Sequence, residues 1–259
     1  MKIARFLNLN GQIQHGILQG GQVEVFQGDI FGAKKPSGEK LDLTQVRFLS
    51  PISPPNLLCL GKNFRSFPGE ENPKFPKTPL LFIKSNTCVI GPEADIILPS
   101  IAPGEIYYEA ELAVVIGRQA RNIAESQALD FVLGYTIAND VGARDCQAID
   151  GQWARAKSFD TFCPLGPWIE TTLDPGNCRV HSRLNNIPMQ DSTTSLMIFN
   201  VAQVVSFLSY CMTLQRGTVI AMGSPGVLQE PRALLKPGDR VEVEVSGIGV
   251  LTNAVIAEP

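Results

Sequence analysis

The sequence contains few of the residues on which several common kinds of active site depend. Only two histidines occur, His15 and His181, and each lies in a strand-like stretch without an obvious cysteine or serine for it to activate. The six cysteines are widely scattered, and no two form the Cys-x-x-Cys pair of zinc and thiol redox sites. We expect them to be buried, reduced thiols. The sequence therefore offers few residues for imidazole catalysis or for a zinc site.

Four further kinds of pattern are missing. No uninterrupted apolar run approaches the roughly 18 residues of a membrane span, and the first residues, MKIARFLNLNG, lack the apolar core of a signal peptide. Lysine and arginine form no run and the formal net charge is −3, so a nucleic-acid partner is not expected. Neither GxGxxG nor GxxxxGK[ST] occurs, which argues against a phosphate-binding loop. We expect a soluble, cytoplasmic protein without a membrane partner.

The composition is that of a globular protein, and the chain divides near residue 52. Of its 259 residues, 44% are hydrophobic and 18% are charged, which is ample for a packed core. The first fifty residues indicate short strands broken by turns. The proline-rich segment LSPISPPN, residues 49–56, then resembles a linker. We predict a small N-terminal β domain over residues 1–52 and a main, catalytic domain over residues 53–259.

Strand signals dominate the main domain. NLLCLG and PLLFIKS are short apolar runs, and RVEVEVSGIG alternates valine with glutamate as a half-buried strand does. Two segments indicate helices: NVAQVVSFLSYCM, with Asn200 as its N-cap, and AESQALDFVLG, ending at Gly134. These patterns predict a mixed α/β fold that is rich in strands.

One apolar strand carries a pair of acidic residues at its entrance. In YYEAELAVVIG, residues 107–117, Glu109 and Glu111 are two positions apart and should point to the same side of the sheet. Two carboxylates so placed repel, and each raises the pKa of the other unless a positive group lies between them. The pair therefore predicts a cationic partner.

A second polar cluster offers further ligands. Asp140 follows the strand-like YTIAN, and Lys157 stands in the largely apolar QWARAKSFDTFCPLGPW. Glu109, Glu111 and Asp140 would form an all-oxygen site, which suits Mg²⁺, Mn²⁺ or Ca²⁺ and disfavours zinc. Three carboxylates, one dication and Lys157 would sum to about zero charge. The spacing leaves open an alternative, in which the glutamates lie on a solvated strand face and pair with Arg118 and Lys157.

Six blocks of the sequence resemble the fumarylacetoacetate hydrolase family in their order and spacing. The resemblance runs from about Leu57 to Val255, and the first fifty residues are similar to the small extra domain of many bacterial members. It implies the strand-rich β-roll of that family, assembled as a homodimer. The blocks are LGKNFRSF, YYEAELAVVIGR, GYTIANDVGARDCQ, KSFDTFCPLGPW, TLQRGTVIAMGSPGV and LKPGDRVEVEVSGIGVLTN.

The resemblance also implies roles for individual residues. Glu109, Glu111 and Asp140 match the metal ligands of the family, and Lys157 matches the lysine that holds substrate beside the metal. Three further residues match the substrate pocket. They are Arg144, Gln147 and Ser224, the last where the family has a threonine in its Gly-Thr-Pro turn.

One block departs from the family pattern. Active hydrolases of the family carry a histidine, followed three residues later by a glutamate, in the mobile segment after Gly-x-Asn-Tyr. In GKNFRSFPGE, Phe64 replaces the tyrosine, Phe67 occupies the histidine position and Glu70 keeps the glutamate position. The pair that activates water for C–C hydrolysis is therefore broken, with Glu70 left as a catalytic candidate and Phe67 as a residue that contacts substrate.

By this resemblance, the chain is expected to be a Mg²⁺- or Mn²⁺-dependent enzyme that acts on small 2-oxo acids through a metal-bound enolate. Decarboxylation needs mainly the electron sink, and keto–enol tautomerisation needs the sink plus a proton shuttle, whereas hydrolysis also needs an activated water. We therefore favour oxaloacetate decarboxylation or tautomerisation over acylpyruvate hydrolysis. A second alternative is a non-catalytic relative that binds a metal or a ligand without turnover.

Overall fold

A computed structural model describes residues 1–102 and 104–259. The predicted strand-rich mixed fold is confirmed, with nineteen strands and three α-helices among these residues. The strands of the first half are β1 Lys2–Asn8, β2 Ile13–Gln19, β3 Gln22–Gln27, β4 Lys35–Asp42, β5 Val46–Phe48, β6 Leu57–Gly61, β7 Leu80–Lys84, β8 Val89–Ile90, β9 Ile96–Leu98, β10 Ile106–Tyr107 and β11 Ala110–Ile116. Those of the second half are β12 Val132–Asn139, β13 Gly142–Ala143, β14 Cys163–Glu170, β15 Arg179–Leu184, β16 Ile187–Thr193, β17 Val219–Ala221, β18 Arg240–Val245 and β19 Gly249–Ala257. The α-helices are α1 Arg144–Asp150, α2 Ala154–Lys157 and α3 Val201–Cys211.

Most strands belong to two sheets. The larger sheet has the order β4-β3-β2-β1-β14-β12-β11-β17-β6-β7, with β5 beside β1 and β8 beside β14. The smaller one has the order β16-β15-β18-β19-β9, and β10 and β13 form a separate pair. Strand β11 lies near the middle of the larger sheet and contacts β15 and β18 of the smaller one. All seven of its residues are buried, which explains its apolar, β-branched sequence.

The first strands extend the larger sheet, because β1 pairs antiparallel with β14. They also have a small apolar cluster of their own, centred on Phe6, Val23 and Val25. The division of the chain at residue 52 stays a prediction.

The two predicted helices have different outcomes. Helix α3 begins after Asn200 as predicted: the Asn200 side chain accepts a hydrogen bond from the Gln203 N–H, and the Gln203 side chain accepts one from the Asn200 N–H. The segment Glu125–Phe131 is instead a 3₁₀ helix. Its N-cap residue, Ala124, has no side chain that can accept from the first turn, and strand pairing resumes at Val132, before Gly134. Among the described residues, no helix is long and apolar enough to cross a membrane.

Candidate metal centre

Antiparallel pairing of β11 with β12 brings three carboxylates together. Ala110 lies opposite Asn139, so the start of β11 meets the end of β12, and the Asp140 N–H donates to the Glu109 carbonyl at 2.9 Å. Glu109 and Glu111 flank Ala110 and point to one side. One carboxylate oxygen from each of Glu109, Glu111 and Asp140 lies within 4.8 Å of the other two. Glu111 and Asp140 are each only 1% exposed, so the group forms an acidic cluster inside the protein.

Three cationic side chains face this cluster. Lys157 Nζ lies 2.7 Å from Glu109 Oε2 and 2.6 Å from Asp140 Oδ2. Lys84 pairs with the other Asp140 oxygen, and Arg232 Nη1 donates to Glu109 Oε1 at 2.9 Å. The alternative, in which the glutamates lie on a solvated strand face and pair with Arg118 and Lys157, therefore agrees with the structure only in part. Lys157 does pair with Glu109, whose side chain is 21% exposed, but Glu111 is buried. Arg118 lies instead over the Phe131 ring, 4.2 Å from its centroid.

Glu111 is the carboxylate with the least positive charge beside it. Burial raises its pKa well above the ordinary value, and the Asp140 and Glu109 carboxylates raise it further. Burial also acts to raise the pKa of Asp140, but Lys157 and Lys84 outweigh it and hold that pKa below its usual range. An added cation would therefore relieve most repulsion near Glu111. The donor set, carboxylate oxygens without histidine or cysteine, fits a hard divalent cation.

Two glycines allow close approach at the cluster. The Gly223 N–H donates to Glu111 Oε2 at 2.8 Å. Position 223 requires glycine for two reasons. Its φ is +87°, and an added Cβ would lie only 2.9 Å from the Asn63 Cβ. At Gly142, a Cβ would lie 3.0 Å from Cε of Lys157, so the glycine leaves room for the buried lysine stem.

A small cavity of about 180 Å³ opens onto the carboxylates. A larger cavity of about 500 Å³ lies at the start of α3, but Asp174 is the one ionisable residue in its lining. The smaller cavity therefore combines enclosure with a concentration of charge, as binding sites for small ligands do. It is lined by Leu60, Gly61, Lys62, Phe82, Tyr107, Glu109, Glu111, Asp140, Gln147, Trp153, Lys157 and Ser224.

The predicted substrate-binding residues lie at different distances from this cavity. Gln147 and Ser224 are part of its lining. Gln147 Nε2 donates to the Tyr107 hydroxyl at 2.7 Å, and Ser224 Oγ accepts from Gln190 Nε2 at 2.7 Å. Arg144 is outside the lining, with its guanidinium 5.5 Å from the centroid of the Tyr107 ring. The roles of all three stay predictions.

The structure does not bring Phe67 and Glu70 to the cavity. Phe67 is 58% exposed, and a carboxylate oxygen of Glu70 accepts from the Ser66 N–H. The Arg65 N–H donates to the Leu196 carbonyl at 2.9 Å and anchors the start of this segment. From residue 66 to residue 76, the hydrogen bonds of the described residues join positions within the segment itself. We call residues 64–76 the lid segment, and its predicted role requires that it move.

Sequence reasoning missed Lys84 and Arg232. Lys84 ends the apolar run LLFIK, and a single charge at the end of an apolar run was the signal available. Its side chain is fully buried and also donates to the Phe162 carbonyl at 2.7 Å. Arg232 lies in an irregular segment that shows no periodicity. Its contact with Glu109 joins positions 123 residues apart, which no local pattern reveals.

We predict that Lys84→Met destabilises the metal-free protein by about 3 kcal/mol, because it leaves a buried carboxylate short of a partner. Urea unfolding monitored by circular dichroism measures the change. The double variant Lys84→Met/Asp140→Asn removes both charges and should recover much of the loss. Equal stability of Lys84→Met and the wild type would show that the pair contributes little.

Comparisons with known proteins agree with this architecture. Residues 56–256 match the family described as fumarylacetoacetate (FAA) hydrolase, C-terminal, and residues 1–51 match one described as Rv2993c-like, N-terminal. A protein of Archaeoglobus fulgidus that carries no functional name is 45% identical over 98% of this chain and 96% of its own. The mitochondrial oxaloacetate tautomerase Fahd2a of Rattus norvegicus is 38% identical over 82% of this chain and 70% of its own.

A solved structure shows the same fold. The crystal structure of 5-carboxymethyl-2-hydroxymuconate delta-isomerase from Mycobacterium smegmatis superimposes with a TM-score of 0.91 at 38% identity, and the match covers 100% of each chain. The sequence match spans most of the chain, and the structural match spans all of it. The chain belongs to the fumarylacetoacetate hydrolase family.

Proposed function

We propose that this family member is a Mg²⁺- or Mn²⁺-dependent enzyme acting on small 2-oxo acids, with keto–enol tautomerisation or decarboxylation of oxaloacetate as its reaction. The observation that carries the proposal is the cluster of Glu109, Glu111 and Asp140, two of them fully buried, beside Lys157 on a small cavity. The similarity to a tautomerase and to an isomerase supports it. Both names describe proton shifts in an unsaturated or keto acid, which proceed without an attacking water.

The carboxylates of Glu109, Glu111 and Asp140 would hold the cation. A bound divalent cation acts as a Lewis acid on the oxygens of a 2-oxo acid. Lys157 would then supply a second positive charge to the oxygen on which negative charge develops. Burial acts to lower the pKa of Lys157, but Asp140 and Glu109 raise it well above the ordinary value, so the lysine stays charged at neutral pH. Lys157 therefore serves as an electrostatic partner and not as a base.

The lining of the cavity combines two aromatic rings with polar and charged side chains. Phe82 and Trp153 meet edge to face, with ring centroids 5.1 Å apart, and both line the cavity. None of the lining residues is a histidine. Hydrolysis of an acylpyruvate needs a base that aims a water at the distal carbonyl. Decarboxylation needs no attacking water, and tautomerisation needs only a group that carries a proton. With its three carboxylates assigned to the cation, a lining without histidine therefore suits these two reactions better.

The substrate panel that tests the proposal contains oxaloacetate, acetylpyruvate and fumarylpyruvate. Each is followed by its ultraviolet absorbance, with and without Mg²⁺, while pyruvate release is assayed in parallel. Metal-dependent loss of the oxaloacetate enol signal supports the proposal, and pyruvate release separates decarboxylation from tautomerisation. Faster cleavage of the acylpyruvates would favour a hydrolase, and no turnover of any substrate would favour a non-catalytic binding relative. The homodimer also stays a prediction, which light scattering tests.

We predict that Phe67→His raises acylpyruvate hydrolysis by about tenfold or more, because a histidine there can pair with Glu70 and activate water when the lid segment closes. In the wild type, Phe67 would exclude water from the bound substrate. Steady-state cleavage of acetylpyruvate measures the gain.

Two control variants make this result specific. Phe67→Leu, which adds no base, should show no gain, and Phe67→His/Glu70→Gln should lose the gain. Brisk acetylpyruvate cleavage by the wild type, comparable to its oxaloacetate turnover, would show that another group activates water.

A further inference from the structure

Both carboxylate oxygens of Glu109 are occupied in the structure. Lys157 Nζ lies 2.7 Å from Oε2, and Arg232 Nη1 lies 2.9 Å from Oε1. A metal ion that bound Glu109 would therefore compete with these cations for the lone pairs of its two oxygens. Which cation leaves decides what charge remains free to meet the substrate.

Arg232 is held less firmly than the two lysines. The side chains of Lys84 and Lys157 are 0% and 2% exposed, and each makes further hydrogen bonds to backbone carbonyls or to Asp140. Arg232 is 14% exposed and reaches Glu109 through one nitrogen, which also donates to the Tyr108 carbonyl at 3.2 Å. It lies in the irregular stretch between β17 and β18. A long, flexible arginine on such a stretch can leave without breaking a strand or a helix.

The formal charges of the cluster point to the same conclusion. Three carboxylates face three cations, so the metal-free group is neutral. A divalent cation adds two positive charges, so Arg232 is no longer needed to neutralise Glu109. Lys62 also lines the cavity, so the metal-loaded site carries a surplus of positive charge. Because charges interact strongly in a largely buried site, this surplus favours a dianion over a monoanion.

A guanidinium released from Glu109 would remain beside the cavity. Arg232, like Arg144, is outside the lining, but its guanidinium lies 5.3 Å from the centroid of the Tyr107 ring, and Tyr107 lines the cavity. Its planar fork fits a carboxylate through two parallel hydrogen bonds. We propose that Arg232 leaves Glu109 when the metal binds and then binds the distal carboxylate of the substrate; this inference rests on the proposed function. Arg232 thereby selects 2-oxo dicarboxylates over 2-oxo monocarboxylates.

The first test is calorimetric titration with Mn²⁺ in the absence of substrate. Arg232→Met should bind Mn²⁺ about tenfold more tightly than the wild type, because a competing cation has been removed. Arg183→Met is the matched control, since Arg183 also pairs with carboxylates, Glu242 and Glu244, on the smaller sheet. Its Mn²⁺ affinity should equal that of the wild type.

The second test separates substrates by charge. For oxaloacetate, Arg232→Met should raise KM about tenfold or more with a smaller change in kcat. The inhibition constant of 2-oxobutanoate, which replaces the distal carboxylate with a methyl group, should change little. Arg232→Lys keeps the charge and should recover part of the oxaloacetate affinity.

The outcomes distinguish this inference from the proposed function. Weaker Mn²⁺ binding by Arg232→Met, or an equal effect on oxaloacetate and 2-oxobutanoate, would show that Arg232 only supports the site, and would overturn the inference alone. Failure of the wild type to bind Mn²⁺ would overturn the proposed function and the inference with it.

Discussion

Replacing Glu111 with alanine is expected to abolish binding of Mg²⁺ or Mn²⁺ at micromolar metal while leaving the fold largely intact. Glu111 is 1% exposed, and burial raises its pKa, so its charge is the least compensated of the three. Removing it takes away both a ligand and the negative charge that draws a cation. The fold should tolerate the loss, because an uncompensated buried carboxylate does not stabilise the metal-free protein. Titration calorimetry measures the affinity, and circular dichroism checks the fold.

Two further variants sharpen this result. Glu111→Gln keeps the size of the side chain and the hydrogen bond from the Gly223 N–H. A loss of metal affinity in this variant would therefore be due to the lost charge alone. Glu170→Ala removes another largely buried carboxylate, which pairs with the amino terminus, and should retain metal binding. Unchanged affinity in both Glu111→Ala and Asp140→Ala would defeat the assignment of the cluster as a metal site.

Lys157→Met is expected to lower oxaloacetate turnover by about a hundredfold or more while metal binding is retained. The loss is of the size found when a partner of a developing oxyanion is removed. Metal binding should persist because Lys157 supplies no ligand and competes for oxygens of Glu109 and Asp140. Steady-state kinetics at saturating Mn²⁺ measures the turnover, and calorimetry measures the affinity.

The control for this prediction is a lysine far from the site. Lys34→Met replaces a partly exposed side chain in the N-terminal region and should change neither turnover nor affinity. If Lys157→Met turned over oxaloacetate at nearly the wild-type rate, the lysine would serve only to neutralise the carboxylates.

Local patterns predicted the parts of the site that depend on neighbouring residues. The two-residue period of a strand places Glu109 and Glu111 on one side, and the structure brings their carboxylates together. The N-cap at Asn200 likewise follows from its immediate neighbours. The 3₁₀ helix at Glu125–Phe131 could not be told from an α-helix, because its end is set by the pairing of β12 with β11.

The remaining parts of the site depend on contacts between distant positions. That Asp140 meets the glutamates was indicated by the resemblance to the family and not by spacing. Lys84 reaches Asp140 across 56 positions, and the single charge that ends LLFIK was its one local sign. Arg232 reaches Glu109 across 123 positions with no local sign at all. The position of Phe67 could not be predicted either, since the lid segment makes few contacts that would fix it.

The central claim is that a divalent cation held by Glu109, Glu111 and Asp140 makes this protein an enzyme for oxaloacetate. The measurement that tests it most directly is the rate of oxaloacetate tautomerisation and decarboxylation by the wild type. The rate is taken after treatment with a chelator and again after Mg²⁺ or Mn²⁺ is restored. We predict that the chelated protein shows no rate above the uncatalysed background. Restoring the metal should return the full turnover. Equal rates before and after chelation, or no turnover with either metal, would contradict the account.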